Sequence, residues 1–242
     1  TLMLASLLAG LLSLRGLRNW DDLNWSMHWI SDHGSDEGYT IGEAAVSGEV
    51  RELDVSWLAG SVTLELTEGD AVTLREEPQP ESSDARMRWK LQDGKLTVYS
   101  QKSGLTITTH AKQLTIGIPA DRAEKLQKLS LDLGAASASL PALTLRELEL
   151  DSVSGSVTLS GGSYEKLDFD STSGDLTVTD AAVGELSADT TSGSLTADGS
   201  FETVDFDTTS GTLRLTSSVL PQDIDCDTVS GGMTLTLPEN GG

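Results

Sequence analysis

The chain has 242 residues, with 38 acidic and 16 basic side chains and a formal net charge of −22. This charge argues against a nucleic-acid-binding protein, which needs a basic face to displace counterions from phosphates, and against docking of the β domain on anionic lipid. Aromatic residues make up only 5% of the chain, and cysteine occurs once. We therefore expect a thin core of Leu, Val and Ala with no intrachain disulfide.

Residues 1–18 form an apolar, leucine-rich segment that carries no charge before Arg15. Fourteen uncharged residues fall short of the roughly 20 that cross a bilayer. We predict an apolar helix that is the distal part of a membrane anchor, with a signal-peptide core or a helix packed in an assembly as alternatives. Arg15 and Arg18 weakly favour the cytoplasm for the flank that follows.

Residues 19–38 read as a polar linker rich in tryptophan. Trp20, Trp25 and Trp29 are typical of a membrane-interface belt, and a cap over the open end of a β domain is the alternative. The linker also holds metal-ligand residue types. They are His28, Asp32, His33, Asp36 and Glu37. Their spacing is unspecific, so a solvated loop is the favoured interpretation.

Residues 39–128 predict the irregular first half of a β domain. Alternating apolar residues indicate strands at 71–74, 96–99, 105–108 and 114–118. The proline-containing stretch 76–86 predicts an exposed loop. One or two helical turns are expected at 121–127, after Pro119.

Residues 129–242 repeat one short line, D-x-x-S-G followed by alternating apolar residues. The glycines of the five clearest copies are Gly155, Gly174, Gly193, Gly211 and Gly231, with spacings of 19, 19, 18 and 20 residues. Such a period is typical of one coil of a β-solenoid. Weaker copies appear at 129–140, with Ala136 in place of the glycine, and at 53–64. The fold class predicted is therefore an all-β, single-stranded β-solenoid with ~19-residue coils.

Alternation within the repeat predicts which side chains face the core. The second and fourth residues after each glycine, and an apolar pair before each aspartate, form four inward columns. Cys226 falls in one of these columns and is expected to be a buried, unreactive side chain. The glycine is expected to turn the chain in a positive-φ conformation.

One aspartate recurs at the same place in successive coils. The ladder comprises Asp132, Asp151, Asp170, Asp189, Asp207 and Asp227. Like charges about 5 Å apart cost roughly 0.8 kcal/mol per neighbour in water, so some group should relieve the repulsion. Backbone N–H groups at the turn would do so. The functional alternative is a row of weak divalent-cation sites at Asp151, Asp170, Asp189, Asp207 and Asp227, for which calcium is the natural ion. No other cofactor is predicted.

Three motifs together resemble a known family. They are GKLTV at Gly94–Val98, LTIGIP at Leu114–Pro119 and the D-x-x-S-G coils. This combination is similar to the bacterial putative-adhesin family of β-strand-repeat proteins, which includes LiaG-like envelope proteins and is largely a domain of unknown function. The resemblance covers residues 40–242. It implies a membrane-attached β-solenoid on the extracytoplasmic face of the cell membrane, linked by context to envelope stress, and it supplies no catalytic residues.

The sequence predicts a non-enzymatic envelope protein whose acidic rod binds a partner, either an envelope protein or a wall polymer. From Asp132 onward the basic residues are only Arg146, Lys166 and Arg214, and no nucleophile elbow, zinc helix or phosphate-binding loop is present. One alternative is a structural subunit that self-associates end to end. Another is a carbohydrate-active enzyme, which a cleft holding Lys or Arg beside carboxylates would favour.

Overall fold

The computed structural model describes residues 35–103 and 111–239. The predicted apolar helix at 1–18, most of the linker at 19–38 and the strand expected at 105–108 lie outside these residues. Within the described ranges, no helix has the length and apolar character needed to cross a bilayer. Most of the described chain is β-strand, arranged as a solenoid of about six coils with a spacing of about 19 residues. The predicted fold class is confirmed.

The regular half is built from parallel strands in continuous register. They are β8 (Lys128–Leu140), β9 (Thr144–Ser152), β10 (Val157–Ser160), β11 (Ser163–Ser171), β12 (Leu176–Thr190), β13 (Leu195–Thr208), β14 (Thr212–Ser217), β15 (Asp223–Thr228) and β16 (Gly232–Thr236). Each coil adds one strand segment to each of two ladders. Leu167 of β11, for example, lies between Leu148 of β9 and Leu186 of β12. Equivalent residues of the repeat therefore stack on one another, as the period predicts.

The first half closes one end of the solenoid with antiparallel strands. Its elements are β1 (Thr40–Ile41), β2 (Ala44–Val46), β3 (Glu52–Thr67), β4 (Val72–Glu77), β5 (Arg88–Gln92), β6 (Lys95–Tyr99), β7 (Lys112–Pro119) and the single-turn helix α1 (Ala120–Ala123). The long strand β3 pairs in parallel with β6, β7 and β8. Beyond β6 and β7 the pairing turns antiparallel, through β5 to β1 and through β4 to β2.

Two predictions for the first half need correction. The stretch 76–86 is not wholly an exposed loop, because Glu76 belongs to β4 and is completely buried. Its burial is made possible by a lysine from β7, whose sequence separation of 36 residues hides the pair from local pattern reading. The helix expected at 121–127 is present but shorter, since α1 spans four residues and begins at Ala120.

The core follows the predicted inward columns. Leu176 and Leu195 stack in one column, and Phe169, Ala188 and Phe206 stack in another. These side chains are at most 1% exposed. Fully burying such a side chain contributes about 1.5–3 kcal/mol, so the columns supply most of the apolar stabilisation of the rod.

The repeat glycines are needed for a reason other than the one expected. None of the five D-x-x-S-G glycines has positive φ; the glycines that do include Gly161 and Gly60, the latter in the weaker copy at 53–64. At Gly193, a methyl group would instead overlap the backbone oxygen of Gly174 in the preceding coil. Successive backbones thus approach too closely for any side chain, so the positive-φ prediction is wrong and close packing of coils explains the glycine.

Cys226 departs from its predicted burial. It stacks on Phe206 in the expected inward column, but it is only half-buried. The cause is its place in the last coil, which has no neighbour on the outer side among the described residues. Burial, followed by the charge of Asp225, raises the pKa of the Cys226 thiol to about 11, which keeps the thiol protonated and weakly reactive.

Candidate functional site

The candidate site is a sheet surface that we call the acidic face. It consists of the outward side chains of β9, β11 and β15 and of parts of four longer strands. These parts are residues 52–56 of β3, 128–132 of β8, 185–190 of β12 and 203–208 of β13. These side chains form three parallel columns. The Asp column contains Asp132, Asp151, Asp170, Asp189, Asp207 and Asp227. The middle column contains Asp54, Ser130, Glu149, Asp168, Ser187, Asp205 and Asp225. The outer column contains Glu52, Lys128, Glu147, Lys166, Glu185, Thr203 and Asp223.

The Asp column is the ladder predicted from the sequence, and every member lies in direct register with the next. Burial, reinforced by the charges of Asp132 and Asp170, raises the pKa of Asp151 to about 8. Burial and neighbouring carboxylates also raise the pKa of Asp189 to about 7 and that of Asp170 to about 6. The stacked carboxylates therefore relieve their repulsion partly by holding protons near neutral pH.

Hydroxyl groups, not the aspartates, bind the turn backbone. In four successive coils the Ser or Thr that follows the aspartate accepts the N–H of the repeat glycine. The N to Oγ distances are 2.9 Å for Gly155 and Ser152, 2.6 Å for Gly174 and Ser171, 2.8 Å for Gly193 and Thr190, and 2.8 Å for Gly211 and Thr208. These hydroxyls are buried, whereas the aspartates before them point outward. The turn N–H groups that were expected to bind the aspartates are thus bound by the hydroxyl of the next residue instead.

Asp132 has a different partner at the end of the column that adjoins β3. The hydroxyl of Ser56 donates a hydrogen bond of 3.1 Å to Asp132 Oδ2. Burial and the charge of Asp54 nevertheless raise the pKa of Asp132. Ser56 occupies the position of the aspartate in the first coil. At this end of the column Asp132 therefore has a hydrogen-bonding hydroxyl as its neighbour in place of another carboxylate.

Three lysines neutralise part of the acidic face. Lys95 Nζ lies 2.7 Å from Asp54 Oδ2, and Lys166 Nζ lies 2.5 Å from Asp168 Oδ2. Lys128 Nζ bridges two carboxylates, at 3.1 Å from Glu147 and 2.7 Å from Glu149. Although burial opposes the effect, hydrogen bonds from Lys128 and Ser130 lower the pKa of Glu149. In its first four coils the sheet thus pairs charges between neighbouring strands at Lys95 and Lys128, and within β11 at Lys166.

A depression of about 440 Å³ lies in this neutralised part. Its lining includes Lys95 and Lys128 together with Asp132, Asp151 and Asp170. The depression therefore combines ion-paired lysines with carboxylates whose pKa values are raised. Basic and acidic groups from several coils therefore come together in its lining.

The second part of the acidic face carries no lysine or arginine. From β12 onward its columns hold Glu185, Asp189, Asp205, Asp207, Asp223, Asp225 and Asp227. Burial, and to a lesser extent the charges of neighbouring carboxylates, raises the pKa values of Asp205 and Asp207. Glu185 lies in register with Lys166 of β11, but the later carboxylates have no lysine or arginine beside them in the three columns, so the face becomes more negative toward the last coil.

Sequence reasoning found the Asp column but missed the other two columns. The middle and outer columns mix Asp, Glu, Ser, Thr and Lys, so no single letter repeats. The signal that finds them is the stacking of coils, which brings positions 19 residues apart side by side. The proposed linker ligands His28, Asp32 and His33 lie outside the described residues.

The calcium ladder stays a prediction. The five aspartates line up as expected, but among the residues that the structure describes no group of three or more His, Cys, Asp or Glu side chains is arranged to hold a metal ion. The carboxylates stand in rows along the sheet instead of converging on one point, which a multidentate calcium site requires.

The family of the chain follows from its coil pattern. The model of the Toastrack DUF4097 family matches residues 50–242. The chain belongs to this family. The match confirms the sequence-based resemblance to a β-strand-repeat domain of unknown function. No curated protein matches the chain.

Three solved structures resemble this Toastrack chain in outline. A "putative adhesin" of Bacteroides fragilis NCTC 9343 is 12% identical, with 84% of this chain and 98% of that chain covered and a TM-score of 0.46. A "putative lipid binding protein" of Parabacteroides distasonis ATCC 8503 is 15% identical, with 86% and 97% covered and a TM-score of 0.48. A "putative cell adhesion protein" of Clostridium sporogenes ATCC 15579 is 10% identical, with 83% and 100% covered and a TM-score of 0.42. Likeness at this level does not carry function from those proteins to this one.

Proposed function

We propose that this Toastrack protein is a non-enzymatic component of the cell envelope that uses its acidic face to bind a cationic partner. The observation that supports the proposal is the second part of the face, where Asp205, Asp207, Asp223, Asp225 and Asp227 have no lysine or arginine beside them in the three columns. A rigid sheet that presents carboxylates in rows favours a partner with regularly spaced positive groups. A basic protein surface or an amine-bearing wall polymer has this chemistry.

The N-terminal apolar segment completes the proposal. Attached to the membrane through residues 1–18, the rod would stand on the extracytoplasmic face of the cell membrane, where wall polymers and envelope proteins are within reach. A link to the envelope-stress response is part of the same hypothesis. The experiment for this part is protease digestion of intact cells that express the complete gene. Digestion from outside is expected, and protection until lysis would contradict the proposed location.

Binding through the acidic face is tested with a triple variant. Glu185→Gln, Asp205→Asn and Asp207→Asn remove three charges from the second part of the face. The matched control, Glu65→Gln, Glu68→Gln and Asp70→Asn, removes three exposed charges from the first half. Sedimentation with isolated cell envelopes should fall several-fold for the first triple variant at low salt and change little for the control. Equal loss in both would mean that net charge alone attracts the chain.

One observation favours a second candidate, a carbohydrate-active enzyme. The depression places Lys128 beside carboxylates, and the environment shifts the pKa of Asp151 upward and that of Glu149 downward. Such a divergence is what a general acid and its partner require. The raised pKa recurs at Asp170 and Asp189, however, so a repeated structural cause accounts for it and binding remains the better proposal.

The two candidates differ in one assay. The chain and its Asp151→Asn variant are incubated with isolated wall polysaccharide, and released reducing ends are measured. We expect no release by either protein. Release by the unmodified chain that disappears in Asp151→Asn would favour the enzyme.

A further inference from the structure

We propose that the outer edge of β15 binds an extended strand of another protein in which basic residues alternate with apolar ones. This site shares Asp223, Asp225 and Asp227 with the acidic face and adds the backbone edge of the last coil, so it rests in part on the proposed function. The partner strand would continue the solenoid by one strand, and its chemistry follows from the side chains that β15 presents.

Within residues 35–103 and 111–239, no side chain covers the inward columns of the coil formed by β14, β15 and β16. Leu213 and Leu215 of β14 are fully buried, whereas Met233 and Leu235, which stack on them from β16, are 37% and 42% exposed. Further large apolar side chains are exposed around the same end. They are Val219, Leu220 and Val229. An exposed apolar cluster of this kind is typical of an interaction site.

Both last strands also have an open hydrogen-bonding edge. In the described part of the chain, β15 pairs only with β13, and β16 pairs only with β14. A strand with one unpaired edge is a template for the addition of another strand. The opposite end of the solenoid differs, since it finishes in antiparallel strands β1 and β2 of two and three residues. The open end is therefore the place where an added strand fits.

The charge of β15 selects the added strand. Asp223, Asp225 and Asp227 alternate outward, and Ile224 and Cys226 alternate inward between them. A strand in register would place its outward residues beside the aspartates and its inward residues over Ile224 and Cys226. Cross-strand pairs of opposite charge stabilise a sheet, and pairs of like charge weaken it. Lysine or arginine outward and aliphatic residues inward therefore match both rows.

Lysines already neutralise carboxylates of neighbouring strands elsewhere on the acidic face. Lys95 of β6 neutralises Asp54 of β3, and Lys128 of β8 neutralises Glu147 and Glu149 of β9. These lysines reach across neighbouring parallel strands of the acidic face. The uncompensated edge at β15 lacks such a neighbour within the described residues, and a basic strand would supply it.

A second copy of the chain fits this edge poorly. Two-fold pairing of β15 with itself is antiparallel and can place Asp225 opposite its own copy, with Asp223 opposite Asp227. Like charges directly opposite each other are unfavourable. Among the described residues, the other end of a second copy offers the short strands β1 and β2. The acidic row thus protects the apolar end from self-association while leaving it open to a basic strand.

The test uses two labelled peptides and the full chain. One peptide carries Lys-Ile-Lys-Val-Lys-Thr between Gly-Ser flanks, and the other has Glu in place of each Lys. Fluorescence anisotropy is measured for the unmodified chain, for Asp225→Lys and for the control Asp198→Lys, which changes an exposed carboxylate of β13 outside the acidic face. We expect the basic peptide to bind Asp225→Lys about tenfold more weakly and to bind the control within twofold of the unmodified chain. The acidic peptide should gain affinity only for Asp225→Lys.

Hydrogen exchange locates the bound peptide. The basic peptide should protect the amides of residues 223–228, and thermal unfolding should show that both variants remain folded. Equal losses for Asp225→Lys and Asp198→Lys, or protection confined to β9 and β11, would overturn the proposal in favour of general attraction to an acidic rod. Concentration-dependent dimerisation in sedimentation velocity, altered by Asp225→Lys, would overturn it in favour of a second copy. Failure of this test leaves envelope binding through Glu185, Asp205 and Asp207 unaffected, because the two experiments change different residues.

Discussion

Lys112 Nζ lies 2.6 Å from Glu76 Oε1, and both side chains are buried where β7 pairs with β4. The carboxylate of Glu76 also accepts the N–H of Met87 at 3.1 Å. The ammonium donates to the carbonyl groups of Ala85, at 2.8 Å, and Ser100, and it lies 5.0 Å from the centre of the Trp57 ring. One ion pair thus contacts several segments of the antiparallel first half.

The first prediction concerns this pair. Glu76→Gln should destabilise the chain by about 3 kcal/mol, because it leaves a buried lysine without its counter-charge. The double variant Glu76→Gln with Lys112→Met should lose less, since both buried charges are gone. Urea unfolding measures the free energies. A double variant as unstable as the sum of the two single variants would show that the two groups act independently.

The second prediction separates the two explanations for glycine. Gly193→Ala should destabilise the chain by about 2–3 kcal/mol, because the new methyl group overlaps the backbone oxygen of Gly174. Gly42→Ala is the control, since Gly42 has φ +87° and open space where the methyl group would lie. Its cost should be about 1 kcal/mol, from backbone strain alone. Equal midpoints in urea for the two variants would contradict close packing as the reason for the repeat glycine.

The third prediction tests the hydroxyl that caps each turn. Ser171→Ala removes the acceptor of the Gly174 N–H and should cost about 1 kcal/mol or more, since a buried donor is left without a partner. Ser171→Thr should be tolerated, because Thr190 and Thr208 fill the same place in later coils. Ser173→Ala, at an exposed position of the same turn, is the matched control. Thermal unfolding that ranks Ser171→Ala with this control would mean that the hydroxyl is dispensable.

The regular half of the fold could be predicted because its stabilising contacts repeat in the sequence. The spacing of Gly155, Gly174 and Gly193 fixes the coil, and alternation fixes which side faces the core. The first half could not be predicted as well. Its key contact joins Glu76 to Lys112 across 36 residues, and a lone Glu after an alternating strand gives no sign that it is buried.

The candidate site shows the same division. The Asp column repeats one letter and was found, whereas the pairing of Lys128 with Glu147 and Glu149 depends on register between strands of different composition. The physical reason for the glycine was also beyond the sequence. A glycine required by positive φ and a glycine required by a close backbone look identical in one chain, and only the geometry at Gly193 separates them.

The fourth prediction follows from protons held by the Asp column. The folded-state pKa values of Asp151, Asp189 and Asp170 are raised to about 8, 7 and 6, so the folded chain binds more protons than the unfolded chain between about pH 4 and 8. Stability must therefore fall as pH rises through this window. The lowered pKa of Glu149 acts in the opposite direction, but only near and below its ordinary value of 4.5, at the acid end of the window.

Asp151→Asn keeps the position neutral and should flatten this dependence. At pH 8.5 we expect the variant to be more stable than the unmodified chain by on the order of 1 kcal/mol, or about 2–4 °C in Tm. At pH 5 the difference should be smaller, because Asp151 is then protonated in the folded chain as well. Asp198→Asn, at an exposed position outside the Asp column, is the matched control and should leave the pH dependence unchanged. A Tm of the unmodified chain that rises from pH 5 to 8.5, or the same slope in Asp151→Asn, would mean that the stacked carboxylates do not hold protons.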